Sequence, residues 1–325
     1  MHGRNWMIDG VRYELRGLLT GAAALAAVAL WLASVDLNLP AQDVLHSLRF
    51  HLGAAMLVVP LALFLAGARW RAAIMMLLIV ASLGHGLTVI QAQQSLRQHA
   101  SDHGSSFSIL SFNVLANSEQ GQNVADYMIA VAPEVAVIME TPGIERALER
   151  LKRVYPYRVG CDRSETCDLS VFSKNPITTA KLYPFGPLQR ERLIVLTVGI
   201  GGREVTVLAL HLSKPYFDGA SEAELWQASN LLKTIEGPVL VAGDFNDAPW
   251  SASVERFVRR NGLIPGPSYP ATWPVRLGDF GIPIDIVLTR GGIQIEDIAA
   301  TTENFGSNHF GLLARVQFIE APSRS

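Results

Sequence analysis

Cysteine is almost missing from this chain. Cys161 and Cys167 are the only two among 325 residues, too few for a disulfide framework or a cysteine-bound metal cluster. A basic excess is missing too. Lys and Arg number 27 against 29 Asp and Glu, and from residue 101 onward the counts are 20 and 25. Duplex nucleic acid is usually gripped by a basic face, and this composition forces none. Charge of either sign is scarce, at 17% of residues, while hydrophobic residues reach 49% and the mean hydropathy is positive. Such values place part of the chain in lipid. The sequence carries no internal repeat and no low-complexity tract.

The apolar excess lies before about residue 92. Three stretches, Gly17–Val35, Leu52–Ala68 and Ala72–Ile90, contain no Asp, Glu, Lys or Arg. A spanning helix needs ~20 mostly apolar residues, so region 1–92 is expected to hold three transmembrane helices, with Pro60 kinking the second and His85 inside the third. A cleaved signal peptide is the rival for the first stretch. That run is long for one, and Asp36 follows without a small-x-small site. Arg4, Arg12 and Arg16 precede the first span, and Arg69 and Arg71 lie between the second and third. The other loop carries Asp36, Asp43 and only Arg49. Basic loops stay inside, so the expected topology is multi-pass in the inner (plasma) membrane, N-terminus cytoplasmic and C-terminal domain periplasmic or extracellular. There Cys161 and Cys167 form a disulfide candidate; in a reducing compartment they would be a thiol pair.

Residues 93–105 read as a polar linker, with His99 and His103 as solvated side chains, and 106–325 as the catalytic domain. Eight short apolar runs follow: FSILSFNV, VAVIME, DLSVFS, LIVLTVGI, VTVLALHL, PVLVAGDF, IPIDIVLT and FGLLARVQFI. Helices are expected over Asn123–Ala130, Ile144–Val154, Ser221–Ile235 and Ser251–Arg260, with Ser221 and Glu224 as a capping box. The expected class is α+β, two packed sheets with helices outside.

Polar residues recur where these runs end, and strand-end loops hold function on a rigid scaffold. Asn113 closes SILSFN, Glu140 closes VAVIME, His211 closes VTVLALH, and Asp244 and Asn246 close VLVAGDFN. Asp285 sits in IPIDIVL, and His309 follows Gly-Ser-Asn before the last run. After the linker, His211 and His309 are the only histidines. Singly, each is an ordinary turn or cap residue. Jointly they offer hard oxygen ligands for Mg²⁺ or Mn²⁺ and imidazoles suited to attack at phosphorus.

As a set, SFN, ETP, LHL, GDFN, the late-strand Asp and S-N-H resemble the endonuclease/exonuclease/phosphatase superfamily over about Ser106–Phe318. The resemblance implies a four-layer α/β sandwich with its active site at one edge of the two sheets. It implies Glu140 as principal metal ligand with Asn113 close to metal and phosphate, and His211 on the scissile phosphate. Asp244 and Asn246 would orient the water and hold a phosphate oxygen, and His309 would be general base or acid, oriented by Asp285. The family has Asp before the last His where this chain has Asn308, a candidate ligand that has lost a charge. Trp273 stands where the family often has an aromatic and is a candidate for lining the substrate cleft. Lys214 and Tyr216 are candidate phosphate contacts; Arg190 and Arg192 read as solvated charges.

The function expected is metal-dependent hydrolysis of phosphate esters, foremost phosphodiesters of nucleic acid or phospholipid, by a membrane-anchored domain outside the cytoplasm. A membrane-tethered phosphate-binding module with weak or lost catalysis is the alternative, favoured only by Asn308. No protein partner is evident.

Overall fold

The computed structural model describes residues 3–97, 105–162, 167–216 and 219–319. Of the stretch read as a linker, 98–104 lies outside the described residues, as do His99 and His103. The chain divides into two compact units, Met1–Gln91 and Ala92–Ser325.

The first unit is helical: α1 (Gly3–Leu32), α2 (Gln42–Ser47), α3 (Arg49–Met56), α4 (Val58–Leu65) and α5 (Arg69–Gln94), the last ending inside the second unit. Two helices, α1 from Gly10 and α5, are long and apolar enough to cross a membrane. The sequence led us to expect three. The middle apolar stretch, Arg49–Leu65, is divided at Leu57 into α3 and α4. Pro60 accounts for the break: it has no N–H to donate, and its ring crowds the carbonyl four residues back, at Met56. There the chain tightens, and Leu57 N donates to Ala54 O at 3.2 Å. At 1.5 Å per residue the stretch rises about 25 Å, short of a hydrocarbon core of ~30 Å. Leu30, Leu63, Met75 and Ile79 form this unit's apolar centre. Arg49, expected in the first loop, instead opens α3 and is buried, its Nε donating to Ala33 O at 2.6 Å.

The second unit holds, in chain order, β1 (Ser106–Asn113), α6 (Gly121–Val131), β2 (Val135–Met139), α7 (Leu148–Leu151), β3 (Tyr157–Val159), β4 (Ser170–Ser173), β5 (Ile177–Phe185), β6 (Arg190–Ile200), β7 (Arg203–His211), α8 (Ala220–Leu232), β8 (Val239–Asp244), α9 (Ala252–Arg260), β9 (Ile264–Pro265), β10 (Asp285–Arg290), β11 (Ile293–Ala300) and β12 (Leu312–Phe318). They form two six-stranded sheets, ordered β11-β12-β1-β2-β4-β3 and β5-β6-β7-β8-β10-β9. In each sheet one central pair is parallel, β1 with β2 and β7 with β8, and the other pairings are antiparallel.

Continuous apolar runs mark these central strands because both faces are covered. In β8, Leu240 and Ala242 enter the core between the sheets, while Val239 and Val241 pack toward α8 and α9. Likewise β1 sends Phe107 and Ile109 between the sheets and Leu110 and Phe112 toward α6. Side chains of this size contribute about 1.5–3 kcal/mol each when fully buried, so the middle apolar layer holds the sheets face to face and the two outer ones hold the helices on them. The sandwich expected from the sequence is the architecture found.

Two local expectations change. Glu224 does not cap a helix. Helix α8 starts one residue before Ser221, and Glu224 is buried, accepting from Ser213 N (2.6 Å) and Ser213 Oγ (2.8 Å). That fastens the loop leaving His211, and burial raises the carboxyl's pKa against the pull of those bonds. The helix expected over Ile144–Val154 is instead a 3-10 turn, Thr141–Ala147, followed by the single turn of α7.

Candidate active site

Strand direction explains why distant residues meet. Parallel strands finish at the same edge, so Asn113 at the end of β1 lies beside Met139, just before Glu140. In the other sheet His211 ends β7 level with Asp244 at the end of β8. Strand β10 runs the opposite way and begins at that edge, which puts Asp285 level with Asp244 on its other side. Gly243 permits this closeness. A Cβ there would meet Leu210 O at 1.8 Å, and its φ of +153 lies where L side chains are rare.

Asp244 is the centre. It is buried, and its Oδ1 accepts from Asn246 N at 2.7 Å. Its Oδ2 accepts from Asn113 Nδ2 at 3.1 Å, and His211 Nε2 and His309 Nε2 stand 3.7 and 3.8 Å away. Burial and the neighbouring Asp285 raise its pKa, opposed by the two imidazoles and Asn113. Asn246 takes a left-handed φ of 52, which Asn tolerates, and its Nδ2 donates to Leu212 O at 2.8 Å.

Each imidazole is backed by a carboxylate. His309 Nδ1 donates to Asp285 Oδ2 at 2.8 Å, and the ring is buried. Burial alone would lower its pKa, but the charges of Asp285, Asp244 and the more distant Glu140, with the Asp285 hydrogen bond, push it up to about 9. Ser307 Oγ accepts from His309 N at 3.0 Å and donates to Asn113 O at 2.6 Å. His211 Nδ1 donates to Asp168 Oδ1 at 2.7 Å.

Asp168 is the site residue that the sequence reading missed. Function was sought at the C-terminal ends of apolar runs, and Asp168 opens one, DLSVFS. Strand β4 is antiparallel to β2, so Asp168, two residues before it, lies at the edge where β2 finishes. Burial pushes the Asp168 carboxyl up, but His211 (bond and charge), Arg192 and the Glu140 N–H outweigh it and hold it at about 2. Arg192 is therefore no solvated charge: its Nε pairs with Asp168 Oδ2. Cys161 and Cys167 are joined by a disulfide, S–S 2.08 Å, adjoining Asp168.

Glu140 sits at a left-handed φ of 55, a strained conformation for this residue type. Its Oε1 accepts from Asn113 Nδ2 (3.1 Å) and its Oε2 from Ala116 N (2.8 Å). A cleft of about 480 Å³ opens beside it, lined by Asp168, Arg190, Arg192, His211, Lys214 and Tyr216 among others. Trp273 is not among its lining residues. Asn308 is exposed, and among the described residues no hydrogen bond joins its side chain to the cluster.

The donors fit a hard divalent cation. Asp244, Asp285 and His309 bring ligand atoms within 4.8 Å of one another, and Asp285 Oδ1 is buried with no hydrogen-bond partner. The Nδ1 of His309 is committed to Asp285, so its Nε2 is the atom it can offer. Glu140 and Asn113 bring further hard oxygens beside this group, of the kind Mg²⁺ or Mn²⁺ takes.

Two sheets face to face, with polar groups gathered only along one shared rim, define a class of α/β sandwich in which the strand ends carry the chemistry. Solved structures share it. The endonuclease/exonuclease/phosphatase from Beutenbergia cavernae is similar at 17% identity over 67% of this chain and 73% of that one, TM-score 0.53. A Staphylococcus aureus beta toxin mutant with bound magnesium ions matches at 14% over 66% and 100%, TM-score 0.52. D. rerio TDP2 complexed with single strand DNA product matches at 17% over 66% and 99%, TM-score 0.53. Comparison with curated protein sequences gives no match. The family's sequence pattern matches residues 110–309, and the chain belongs to the Endonuclease/Exonuclease/phosphatase family. Members of that family are hydrolases acting on phosphoesters.

Proposed function

We propose that this chain hydrolyses phosphodiesters by attack of a water in line with the leaving group, at a site that would hold a divalent ion. The observation that carries the reading is the convergence of two carboxylate-backed imidazoles, with Nε2 atoms 3.7 and 3.8 Å from one Asp244 oxygen. The Nε2–H of charged His309, aimed at this place, suits an oxyanion developing on phosphorus, and His211 Nε2 lies beside it. Asp285 and Asp168 fix the tautomers by accepting at Nδ1, so both Nε2 atoms face the substrate. His309, charged at neutral pH, donates to a phosphate or leaving oxygen. Asp244, whose proton affinity is raised, orients the attacking water and takes its proton, and Asn246 is placed beside it to hold a phosphate oxygen. Glu140 and Asn113 would hold the divalent ion, which supplies Lewis-acid stabilisation of the phosphate oxygens.

Substrate chemistry is favoured by the cleft. Arg190 and Lys214 line it with no ion pair among the described residues, and Tyr216 offers an aromatic face. This suits a substrate with negative charge beyond the scissile phosphate, as in nucleic acid or an anionic phospholipid. In the same reading the catalytic unit lies outside the cytoplasm. The Cys161–Cys167 disulfide favours an oxidising compartment, which requires an odd number of crossings. The split middle stretch then crosses too, its few missing ångströms met by local thinning of the bilayer.

The test is turnover by the full chain in detergent with Mg²⁺, Mn²⁺ or EDTA. Substrates are a bis-aryl phosphate diester, single- and double-stranded nucleic acid, and phospholipid vesicles, with His309→Ala in parallel. Metal-dependent turnover that disappears in the variant is expected, and the best substrate ranks nuclease against lipid hydrolase. A folded chain that turns over none of them sinks the reading and leaves a tethered phosphate-binding module.

A further inference from the structure

The second unit begins at Ala92, and its first residues are not idle. Gln93 is 5% exposed. Its Nε2 donates to Pro249 O at 2.9 Å, and its Oε1 accepts from Tyr269 OH at 2.5 Å. Gln94 Nε2 donates to Pro267 O at 3.0 Å, and Arg97 donates to Pro265 O (2.7 Å) and Ile295 O (2.9 Å). Two of these acceptors, Pro265 O and Pro267 O, belong to the segment Pro265–Pro270, which reads Pro-Gly-Pro-Ser-Tyr-Pro and whose prolines have no N–H for a ladder.

What these two anchor points hold is the site. Pro249 follows Asn246 by three residues, at the end of the buried turn that leaves Asp244. Tyr269 precedes Thr272 by three. Thr272 Oγ1 accepts from Asp285 N at 3.2 Å, and Thr272 O accepts from Phe310 N at 2.9 Å, the peptide that follows His309. Thr272 therefore bonds through its hydroxyl to the Asp285 peptide and through its carbonyl to the peptide just after His309. Burial raises the Tyr269 hydroxyl's pKa and keeps it a donor.

We propose that Gln93 is a positioning residue of the hydrolytic site: one carboxamide ties the backbone behind Asp244 and Asn246, at Pro249 O, to the Tyr269 hydroxyl, at the start of the segment whose Thr272 bonds to the Asp285 peptide and beside His309. Its effect on rate rests on the phosphodiesterase reading above; its effect on the two backbones does not.

The experiment uses the full chain in detergent, with Gln93→Ala, Tyr269→Phe and the double variant. Two readouts are taken. Amide hydrogen exchange should quicken in Gln93→Ala over 244–250 and 269–273 together, with β6 and β7 unchanged. In turnover, kcat should fall on the order of tenfold, the scale set by small misplacements of reacting groups, with KM within twofold and the unfolding temperature near that of the parent. Tyr269→Phe, which removes a single oxygen, should show the same split at smaller size, and the double variant should be no slower than Gln93→Ala alone. Unchanged exchange over both segments overturns the tie. So does an additive loss in the double variant, or a kcat equal to the parent's. A chain inert toward every phosphodiester, yet with exchange quickened in both segments, sinks the proposed function and leaves the tie standing.

Discussion

Removing the charge of Asp168 isolates the second imidazole pair. Its carboxyl is held at about 2 against an ordinary 3.8, and its side chain is only 15% exposed, so solvent screening is slight. At about 1.4 kcal/mol per tenfold, that depression amounts to roughly 2 kcal/mol of folding stability. The pKa is depressed, so the contribution is complete above the unfolded value of 3.8 and is lost as pH falls through about 2. About half of it is gone at pH 3. Asp168→Asn keeps the shape and an oxygen acceptor for His211 Nδ1 but not the charge. It should be less stable by about 2 kcal/mol at pH 7, with the deficit shrinking between pH 4 and pH 2. Urea unfolding of the full chain, followed in the β-rich unit at pH 7, 4 and 3, measures this. Asp168→Ala also frees the imidazole to rotate and should lower kcat on the order of a hundredfold, the scale of a misplaced reacting group. An Asn variant as stable as the parent at pH 7, a deficit identical at pH 3, or an Ala variant with parental kcat would refute the reasoning.

Asn308→Asp restores a carboxylate at an exposed position beside His309. It should leave stability within about 0.5 kcal/mol and lower the Mg²⁺ or Mn²⁺ concentration for half-maximal rate; an unchanged metal titration counts against position 308 as a ligand. Gly243→Ala places a Cβ against Leu210 O and should cost several kcal/mol or prevent folding, read by circular dichroism and yield. A reporter active only outside the cytoplasm should work when fused after Ser325; a silent fusion, with an active cytoplasmic reporter at the same place, overturns the proposed orientation.

Much of the site was legible because strand ends announce themselves. Asn113, Glu140, His211 and Asp244 each close an apolar run, and a run buried on both faces is easy to see. Asp168 was not legible because it opens its apolar run, two residues before β4, and only the antiparallel pairing of β4 with β2 brings it to the rim. Strands β3, β5, β9 and β11 were passed over for a related reason. They are the edge strands of the two sheets, and β5 is largely exposed, so no continuous apolar run marks them. In the first unit, the apolar character of Leu52–Ala68 was legible and its division into two helices was not, because composition does not register where Pro60 divides a helix. The role of Gln93 was beyond the sequence altogether: a glutamine in a polar stretch looks solvated until Pro249 and Tyr269 are placed around it.

The rim has one more consequence. Asn113 belongs to one sheet and hydrogen-bonds Asp244 in the other, and His309, just before β12, is held by Asp285 of the opposite sheet. Each imidazole stands at one sheet and its backing carboxylate at the other, His211 with Asp168 and His309 with Asp285. A fragment carrying either sheet alone would be chemically silent, and two such fragments would regain the site only by docking face to face. Whatever ligand this rim holds therefore reports the assembly of the whole sandwich, so a binding or turnover signal doubles as a count of correctly folded molecules.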